Sequence, residues 1–528
     1  MKIRKRFRRI GITGSARSGK TVFLLSLISH LEAGDLKLNG AETRRFRRRD
    51  IKAGPLARLL GRLPGAGSFF RKERDEFDYL ELRKYLADQK KWPGKTTDSF
   101  FFRCRFRRVL KGNKWKNYLW HPIASLSEDE IEFFDFPGER VADVTMIGKD
   151  FGSWSDTMIR DIRDPRKAPF AEKFLAEIES ESPDQGKLIA YWKLAQGLLF
   201  DKKHALITPS TLLVDDEGNT DRDRVVALRD LKRTGSEIND ESIRARLKVL
   251  RKNNQVKIGS IEVSPEEFAV ACCAGLPGRE FTPLPEAVRK SVPELARHFD
   301  EHYKLYQQQV VRPFAANLLD CHSLIFLIDL ADVLACGPRK LNDTQEMIVQ
   351  LLACIERSRG FFKELFRGIA NKGRWIFGGK SKFIDRIAFV ASKADRIRGR
   401  QTDEAKRLLE YAAGKFARNS GPSYTECHVC SACISTEPKP GEESILIGRP
   451  IWEFAEGRLQ YRSPEAPECE VFVPTLPDHW PARDWDCEKF QFADFHPAIP
   501  HIDREPPPQR GLDAVLSFAL ELTTESLR

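Results

Sequence analysis

The chain of 528 residues, 41% hydrophobic and 31% charged, can bury sizeable cores in several domains or one elaborated domain, and ordinary glycine (34) and proline (30) counts exclude collagen-like and disordered classes. Its longest apolar stretch, Ser323 to Cys336, is broken by Asp329 and Asp332 and falls short of the roughly 20 residues of a membrane-spanning helix. Net charge is +12, but residues 1–120 hold 32 Lys/Arg against 11 Asp/Glu, a net +21 that leaves −9 for the remainder; the N-terminal part therefore suits nucleotide phosphate, an anionic membrane surface or nucleic acid, a solvated basic face being the plain alternative.

The basic start, Met1 to Arg6, is followed by a stretch carrying Arg17 and Lys20 and no cleavage site, so no export signal is expected. Eleven cysteines without framework spacing fit a reducing compartment, and the cytoplasm is the expected location.

Arg9 to Thr13 reads as a short buried strand, and Val22 to Leu31 as an apolar helix running to Gly34. Between them, Gly14, Ser15, Ala16, Arg17, Ser18, Gly19, Lys20 and Thr21 match G-x-x-x-x-G-K-[ST] at every fixed position. In that setting the loop's N–H groups and the helix N-terminus would cradle phosphate oxygens. Lys20 would reach the β- and γ-phosphates, and Thr21 would ligate Mg²⁺.

A basic insertion near residues 36–91 follows. Its Ile51, Leu56, Leu59, Leu60 and Leu63 lie among basic residues but are interrupted by Gly54, Pro55 and Gly61. In the loop Trp92 to Thr97, Thr96 is the expected sensor of Mg²⁺ and the γ-phosphate. Phe102 to Arg107 alternates as a half-exposed edge strand and is a plausible hairpin partner for the strand Ile131 to Asp135. Asp135 is the expected metal-holding carboxylate, and Gly138 stands at the D-x-x-G spacing where an N–H could meet a γ-phosphate. The next residue, where many GTPases carry a water-positioning glutamine, is Glu139; a carboxylate accepts but cannot donate, so slow turnover is expected. Arg17 and Arg140 are candidates for a charge-stabilising arginine.

Helical segments are expected over Leu188–Leu199 and Leu295–Leu319, the latter with Phe299, Tyr303, Tyr306 and Val310 as core. Leu324 to Asp329 returns as a strand whose terminal Asp329 either lines the cleft or caps a turn. Ile387 to Ala391 is a further buried strand leading into Ser392, Lys393, Ala394 and Asp395, similar to the N/T-K-x-D element that reads guanine. An Asp there accepts from N1–H and the exocyclic amine, a pairing adenine cannot make. Ser392 departs from the usual Asn or Thr, though its hydroxyl could still tie this loop to the P-loop. Cys427, Cys430 and Cys433 could suggest zinc or an iron–sulfur cluster, but on a strand they would face opposite sides. The competing reading is that Ser431 and Ala432 resemble the S-A element whose N–H groups meet guanine O6. After the proline- and tryptophan-rich residues 437–508, Leu512, Val515, Leu516, Ala519 and Leu520 form one face of a closing helix.

These elements occur in the order of a GTPase domain, and the chain resembles the YcjX-like family of stress-associated P-loop GTPases. The resemblance rests on Gly11 to Thr21, Trp92 and Pro93 with Thr96, Phe134 to Glu139, Phe151 to Ser155, Lys393 to Asp395, Phe490 to Phe492, Pro500 to Ile502 and Leu512 to Ala514. It implies a cytosolic protein binding GTP/GDP, often encoded beside a membrane protein. The fold expected is α/β, a GTPase-like P-loop NTPase with a mostly parallel sheet, large mainly helical insertions and a C-terminal irregular or β segment. Residues 1–35 would open the GTPase-like domain, 36–91 form the basic insertion, and 92–160 carry the switch region and the Asp135 strand. Residues 161–320 would form the helical insertion, 321–436 the second part with the base-reading loops, and 437–528 the C-terminal extension. A Mg-dependent GTPase switch is thus expected; a P-loop ATPase or kinase, or a low-turnover scaffold recruited to a membrane surface or acidic partner, are the alternatives. No recognised nucleic-acid module accompanies the charge.

Overall fold

The computed structural model describes residues 5–15, 18–38, 41–42, 83, 86–88, 100–107, 128–136, 138–163, 168–180, 184–200, 221–236, 240–252, 281–373, 384–399, 401–417, 424–455, 458–481, 485–498 and 505–520. Ala16, Arg17, Thr96 and most of the basic insertion lie outside the described residues. Two compact units separate, one formed by described residues up to Val141 and from Ala316 onward, the other by Ala142–Ala315.

The first unit is built on six strands: β1 (Lys5–Gly14), β2 (Phe100–Arg107), β3 (Glu128–Asp135), β4 (Ser323–Ile328), β5 (Arg386–Ala391) and β6 (Tyr424–Val429). Their spatial order is β2-β3-β1-β4-β5-β6. Five run parallel; β2 lies antiparallel to β3, as the alternation of residues 102–107 led us to expect. Every residue of β4 and β5 is buried, as a parallel strand covered on both faces requires. One face carries Ile325, Leu327, Ala388 and Val390 into a core shared with helix α1 (Lys20–Ala33) and the closing helix. The opposite-parity residues Leu324, Phe326, Ile387 and Phe389 are equally buried. Helix α1 has no polar stripe, and Leu24, Leu25, Leu27 and Ile28 are all inaccessible, which explains its uniform hydrophobicity.

Low on the sheet, Arg9 stands opposite Glu132 in register, pairs with it at 2.8 Å and also pairs with Asp320 ahead of β4. Glu132 is fully buried, and removing one partner of such a pair costs about 3–5 kcal/mol. The cluster therefore fixes the register of β3, β1 and β4, and with it the height at which each strand ends.

Past the strands, the unit holds the start of helix α2 (Gly138–Asp143) and helices α3 (Leu330–Cys336), α4 (Pro338–Gly373), α5 (Thr402–Ala417) and α6 (Leu512–Ala519). Residues 436–472 add the expected β structure. Strands β7 (Thr436–Lys439), β8 (Glu442–Gly448) and β11 (Cys469–Phe472) form an antiparallel sheet, while β9 (Trp452–Ala455) and β10 (Arg458–Tyr461) make a hairpin. Helix α6 buries Leu512, Val515, Leu516 and Ala519 beside β5 and β4, and Ser323 Oγ donates to the Ala519 carbonyl at 2.7 Å.

The second unit is helical. Phe151–Ile162, Ala168–Glu179, Asp184–Phe200 and Pro293–Tyr306 surround Trp154, Phe174, Tyr191, Phe281, Phe299, Tyr303 and Tyr306. The sequence reads one helix across residues 295–319, but the structure inserts a π-helical stretch at Gln307–Val311. It coincides with the Gln307 amide donating to the Met146 and Lys149 carbonyls at 2.8 and 3.0 Å, while the Tyr306 hydroxyl donates to Asp143 at 2.7 Å. A hairpin of Asp221–Thr234 and Asp240–Lys252 has its own small core of Ala227, Leu231, Ile243, Leu247 and Leu250. Among the described residues, no helix is long and apolar enough to cross a membrane.

Candidate functional site

Parallel strands send their C-terminal ends to one edge, so loops distant in sequence meet there. Register sets the spacing: Gly14 pairs with Leu327 and Leu327 with Val390, while Ile328 pairs with Ala391 and Ala391 with Val429. Gly14, Asp329, Ser392 and Cys430 therefore leave the sheet at nearly one height. Asp135 leaves two rows lower, opposite Ile12, and the Phe136 N–H donates back to the Ile12 carbonyl at 2.8 Å.

The P-loop begins at a position only glycine can occupy. With φ at +149°, a Cβ on Gly14 would lie 2.2 Å from the Leu327 carbonyl oxygen. Gly19, left-handed at φ +84°, is the N-cap of α1; no side chain caps this end, and no acidic residue occupies the first turn. The positive end of the helix dipole and its unbonded N–H groups are left available to an anion. Ser15 and Ser18 are buried beneath the loop. The Lys20 ammonium, also buried, donates to the Ser15 and Gly14 carbonyls at 3.0 and 3.4 Å. Phosphate oxygens are stronger acceptors for a cation than these carbonyls and could take their place.

Gly138 closes on the same point. A Cβ there would sit 2.3 Å from the Gly14 oxygen and 3.0 Å from Lys20 Nζ, so the D-x-x-G glycine starts α2 against the P-loop. Thr21 at the first turn of α1 and the buried Asp135 offer the hydroxyl and carboxylate oxygens that suit Mg²⁺. Among the described residues no group of three or more His, Cys, Asp or Glu could hold a metal ion. Arg140 is buried rather than a surface side chain.

Across β4, Lys393 is the only described non-glycine residue with positive φ, at 54°. This uncommon conformation lays its stem along the P-loop, and a Cβ on Gly19 would be 3.7 Å from Lys393 Cε. The tie expected of Ser392 is not made: its buried hydroxyl has no hydrogen-bond partner among the described residues, and Lys393 bridges the loops instead. Asp395 is buried. Its two oxygens accept from Ser431 Oγ at 3.2 Å and the Ser435 N–H at 3.1 Å, while the Thr436 hydroxyl donates to its carbonyl. Burial holds the Asp395 carboxyl above the usual carboxylate range, against the lowering effect of those donors.

Ser431 contributes differently from expectation. Its N–H donates to the Arg510 carbonyl at 2.9 Å, so of the two backbone donors anticipated there only that of Ala432 lacks a partner among the described residues. Cys430 and Cys433 are buried free thiols with pKa values pushed up by burial, that of Cys433 to about 12, and no metal-binding cluster among the described residues includes them.

Of the two roles left open by the sequence, Asp329 fills the cap, and it also holds two cations. One oxygen caps α3 by accepting from the Asp332 N–H at 3.1 Å; the other meets Lys393 Nζ at 2.9 Å and the Arg396 guanidinium at 3.1 Å. Burial alone would raise its pKa, but these two cations outweigh burial and hold it below the usual range. Sequence reasoning missed Arg396, which also donates to the Phe492 and Ala493 carbonyls at 3.0 Å each. Its adjacency to Asp395 was the available signal.

The close approach of Gly138 yields a direct test. Gly138→Ala is expected to cost about 1–3 kcal/mol through overpacking against backbone, whereas Gly399→Ala, with nothing within 4 Å of the new Cβ, should leave the melting temperature unchanged; calorimetry of the two variants checks this.

The YcjX-like family model, DUF463, matches residues 8–191 and 235–522. A relative named Ras-like GTPase YcjX, from Escherichia coli (strain K12), is 24% identical over 531 residues, covering 97% of this chain and 95% of its own length. The family match runs through the sheet and the helical unit alike, and the chain belongs to the YcjX-like family.

Proposed function

We propose that this protein binds GTP and GDP with Mg²⁺, hydrolyses GTP slowly and acts as a nucleotide-state switch. The observation that carries the reading is the meeting of Lys20, Gly138 and Lys393 around the P-loop, with Asp395 held by Ser431 and Ser435 a few residues away in sequence from Lys393. The name of the Escherichia coli relative, a Ras-like GTPase, supports it. The stress-response setting rests on the family resemblance alone. The division into a split GTPase-like domain, a basic insertion over 36–91 and a helical insertion belongs to the same proposal.

In this reading the N–H groups around Ser15 to Thr21 bind the α- and β-phosphates, Lys20 spans β and γ, and the Gly138 N–H faces γ. Ala16 and Arg17 complete the loop. Mg²⁺, held by Thr21 and Asp135 with Thr96 as a switch ligand, would neutralise charge on the β- and γ-oxygens. Asp395 accepts from guanine N1–H and the exocyclic amine, and the Ala432 N–H donates to O6. Glu139 can accept a proton from water but cannot donate to the γ-phosphate, which leaves turnover slow.

Competition of unlabelled GTP, GDP, ATP and ADP against a fluorescent guanine nucleotide tests the base assignment. Guanine nucleotides should win strongly, Asp395→Ala should erase the preference, and Asp395→Asn should shift it toward xanthine, which presents a carbonyl where guanine has an amine. Equal competition by ATP, unchanged in Asp395→Ala, would leave a P-loop ATPase. Single-turnover GTP hydrolysis should run at about 10⁻⁴ to 10⁻² s⁻¹, as in unstimulated GTPases, and fall further on chelation of Mg²⁺. A rate unchanged in both Arg17→Ala and Arg140→Ala would remove a charge-stabilising arginine from the mechanism.

The N-terminal charge supports a second role, recruitment to an anionic membrane surface or acidic partner, whether or not turnover is significant. Flotation with anionic vesicles should recover the full chain better than one lacking residues 40–75; equal recovery would dispose of membrane recruitment.

A further inference from the structure

The base-reading segment places a cation on either side of Asp395: Lys393 two residues before it and Arg396 immediately after. Arg396 is well enclosed, its side chain 11% exposed, and Lys393 is partly buried, its side chain 32% exposed. A carboxylate beside an enclosed guanidinium is that group's natural partner, and a bidentate pair would use the same oxygens a base needs. Yet the described contacts of the Asp395 carboxylate are with neutral donors, Ser431 Oγ and the Ser435 N–H, each of which leaves lone pairs on the oxygen it occupies. The cations are drawn elsewhere. Asp329, 4% exposed and at the end of a different strand, receives both Lys393 and Arg396 on one oxygen, and Asp494 takes a second contact from Arg396 at 3.1 Å.

Resting on the guanine-nucleotide reading above, we infer that Asp329 is a positioning residue for base selection: it draws Arg396 and Lys393 away from Asp395 and so keeps the Asp395 oxygens open to the base edge. The device is electrostatic and steric at once. Asp329 is fixed from below by its N-cap bond to Asp332, so it cannot follow the cations toward the base. Beyond Asp329, Arg396 is also met by Asp494 and by the carbonyls of Phe492 and Ala493; without the Asp329 charge, Asp494 would be the one carboxylate left to Arg396 among the described ion pairs, and Lys393 would have none. The arrangement predicts a loss of selectivity without a loss of phosphate binding.

The discriminating quantity is the ratio of IDP to GDP dissociation constants, because inosine lacks only the exocyclic amine and all phosphate effects cancel. In the full chain this ratio should be at least tenfold and collapse toward one in Asp395→Ala. Asp329→Asn, which retains an oxygen for the N-cap, should reduce the ratio to within about threefold of one, with IDP, which keeps its N1–H, weakened less than GDP. Adding Arg396→Gln to Asp329→Asn should recover most of the ratio, an outcome a merely structural role for Asp329 would not produce. An unchanged ratio in Asp329→Asn, or a further fall in the double variant, overturns the inference. If Asp329→Asn does not fold, Arg396→Gln alone decides: a ratio kept within twofold of the parent supports the inference, and a collapse to the Asp395→Ala value overturns it. Absence of any guanine preference in the unaltered chain would instead overturn the base reading on which this rests, a result separable from the others.

Discussion

The register of the parallel sheet is the constraint on which everything at the candidate site depends. A strand shifted by one residue would exchange its two faces and move its terminal loop by about 3.3 Å. Here the shift is prevented twice. Apolar residues of both parities are buried on β4 and β5, so a slip would separate each from its packing partners on both faces and draw a loop residue into the sheet. On the other side, Arg9 on β1 is bound to Glu132 on β3 and to Asp320 just ahead of β4, and a slipped β1 would leave buried charges without partners. The two locks differ in kind, one hydrophobic and one ionic, and act on neighbouring strands.

Fixed strand ends allow close tolerances above them. Gly14 passes the Leu327 carbonyl with no room for a methyl group, and Gly138 passes the Gly14 carbonyl with equally little. Both contacts are with backbone, which cannot rotate aside as a side chain can. The P-loop is therefore held between β4 and the start of α2, and any displacement of α2 must change the space around Lys20. That coupling gives the D-x-x-G segment a physical means of registering what occupies the loop.

The fold and the strand–loop–helix of the P-loop were legible in the sequence for a simple reason: both are encoded locally. Gly14 to Thr21 is contiguous, its strand and helix flank it, and Phe102 to Arg107 shows its edge position by alternation. The closing helix declared itself through Leu512, Val515, Leu516 and Ala519 on one face. The π-helical stretch at Gln307–Val311 left no such sign, because it accompanies contacts from Gln307 and Tyr306 to residues more than 150 positions away. Ser392 misled because a hydroxyl at that position can reach the P-loop in principle, whereas the left-handed backbone at Lys393 sends the longer side chain there instead.

The C-terminal extension shows where sequence reading runs out. Arg396 binds the carbonyls of Phe492 and Ala493, Arg398 donates twice to the Val473 carbonyl at 3.1 and 3.0 Å, and the Gln401 amide exchanges bonds with the backbone of Leu476. Every group that residues 473–493 supply to these bonds is main chain, which any residue would offer, so no pattern there announces the contact. The donors are legible, but only as polar residues after a strand. Their combined effect is to bind the segment from Asp395 to Gln401 to residues 435–494 at several points, so the Asp395 carboxylate is held by a part of the chain outside the GTPase-like order of motifs. A change in the extension's packing must then reach Asp395 through Arg396 and through the Ser435 and Thr436 bonds, which makes the extension part of the site rather than an appendage to it.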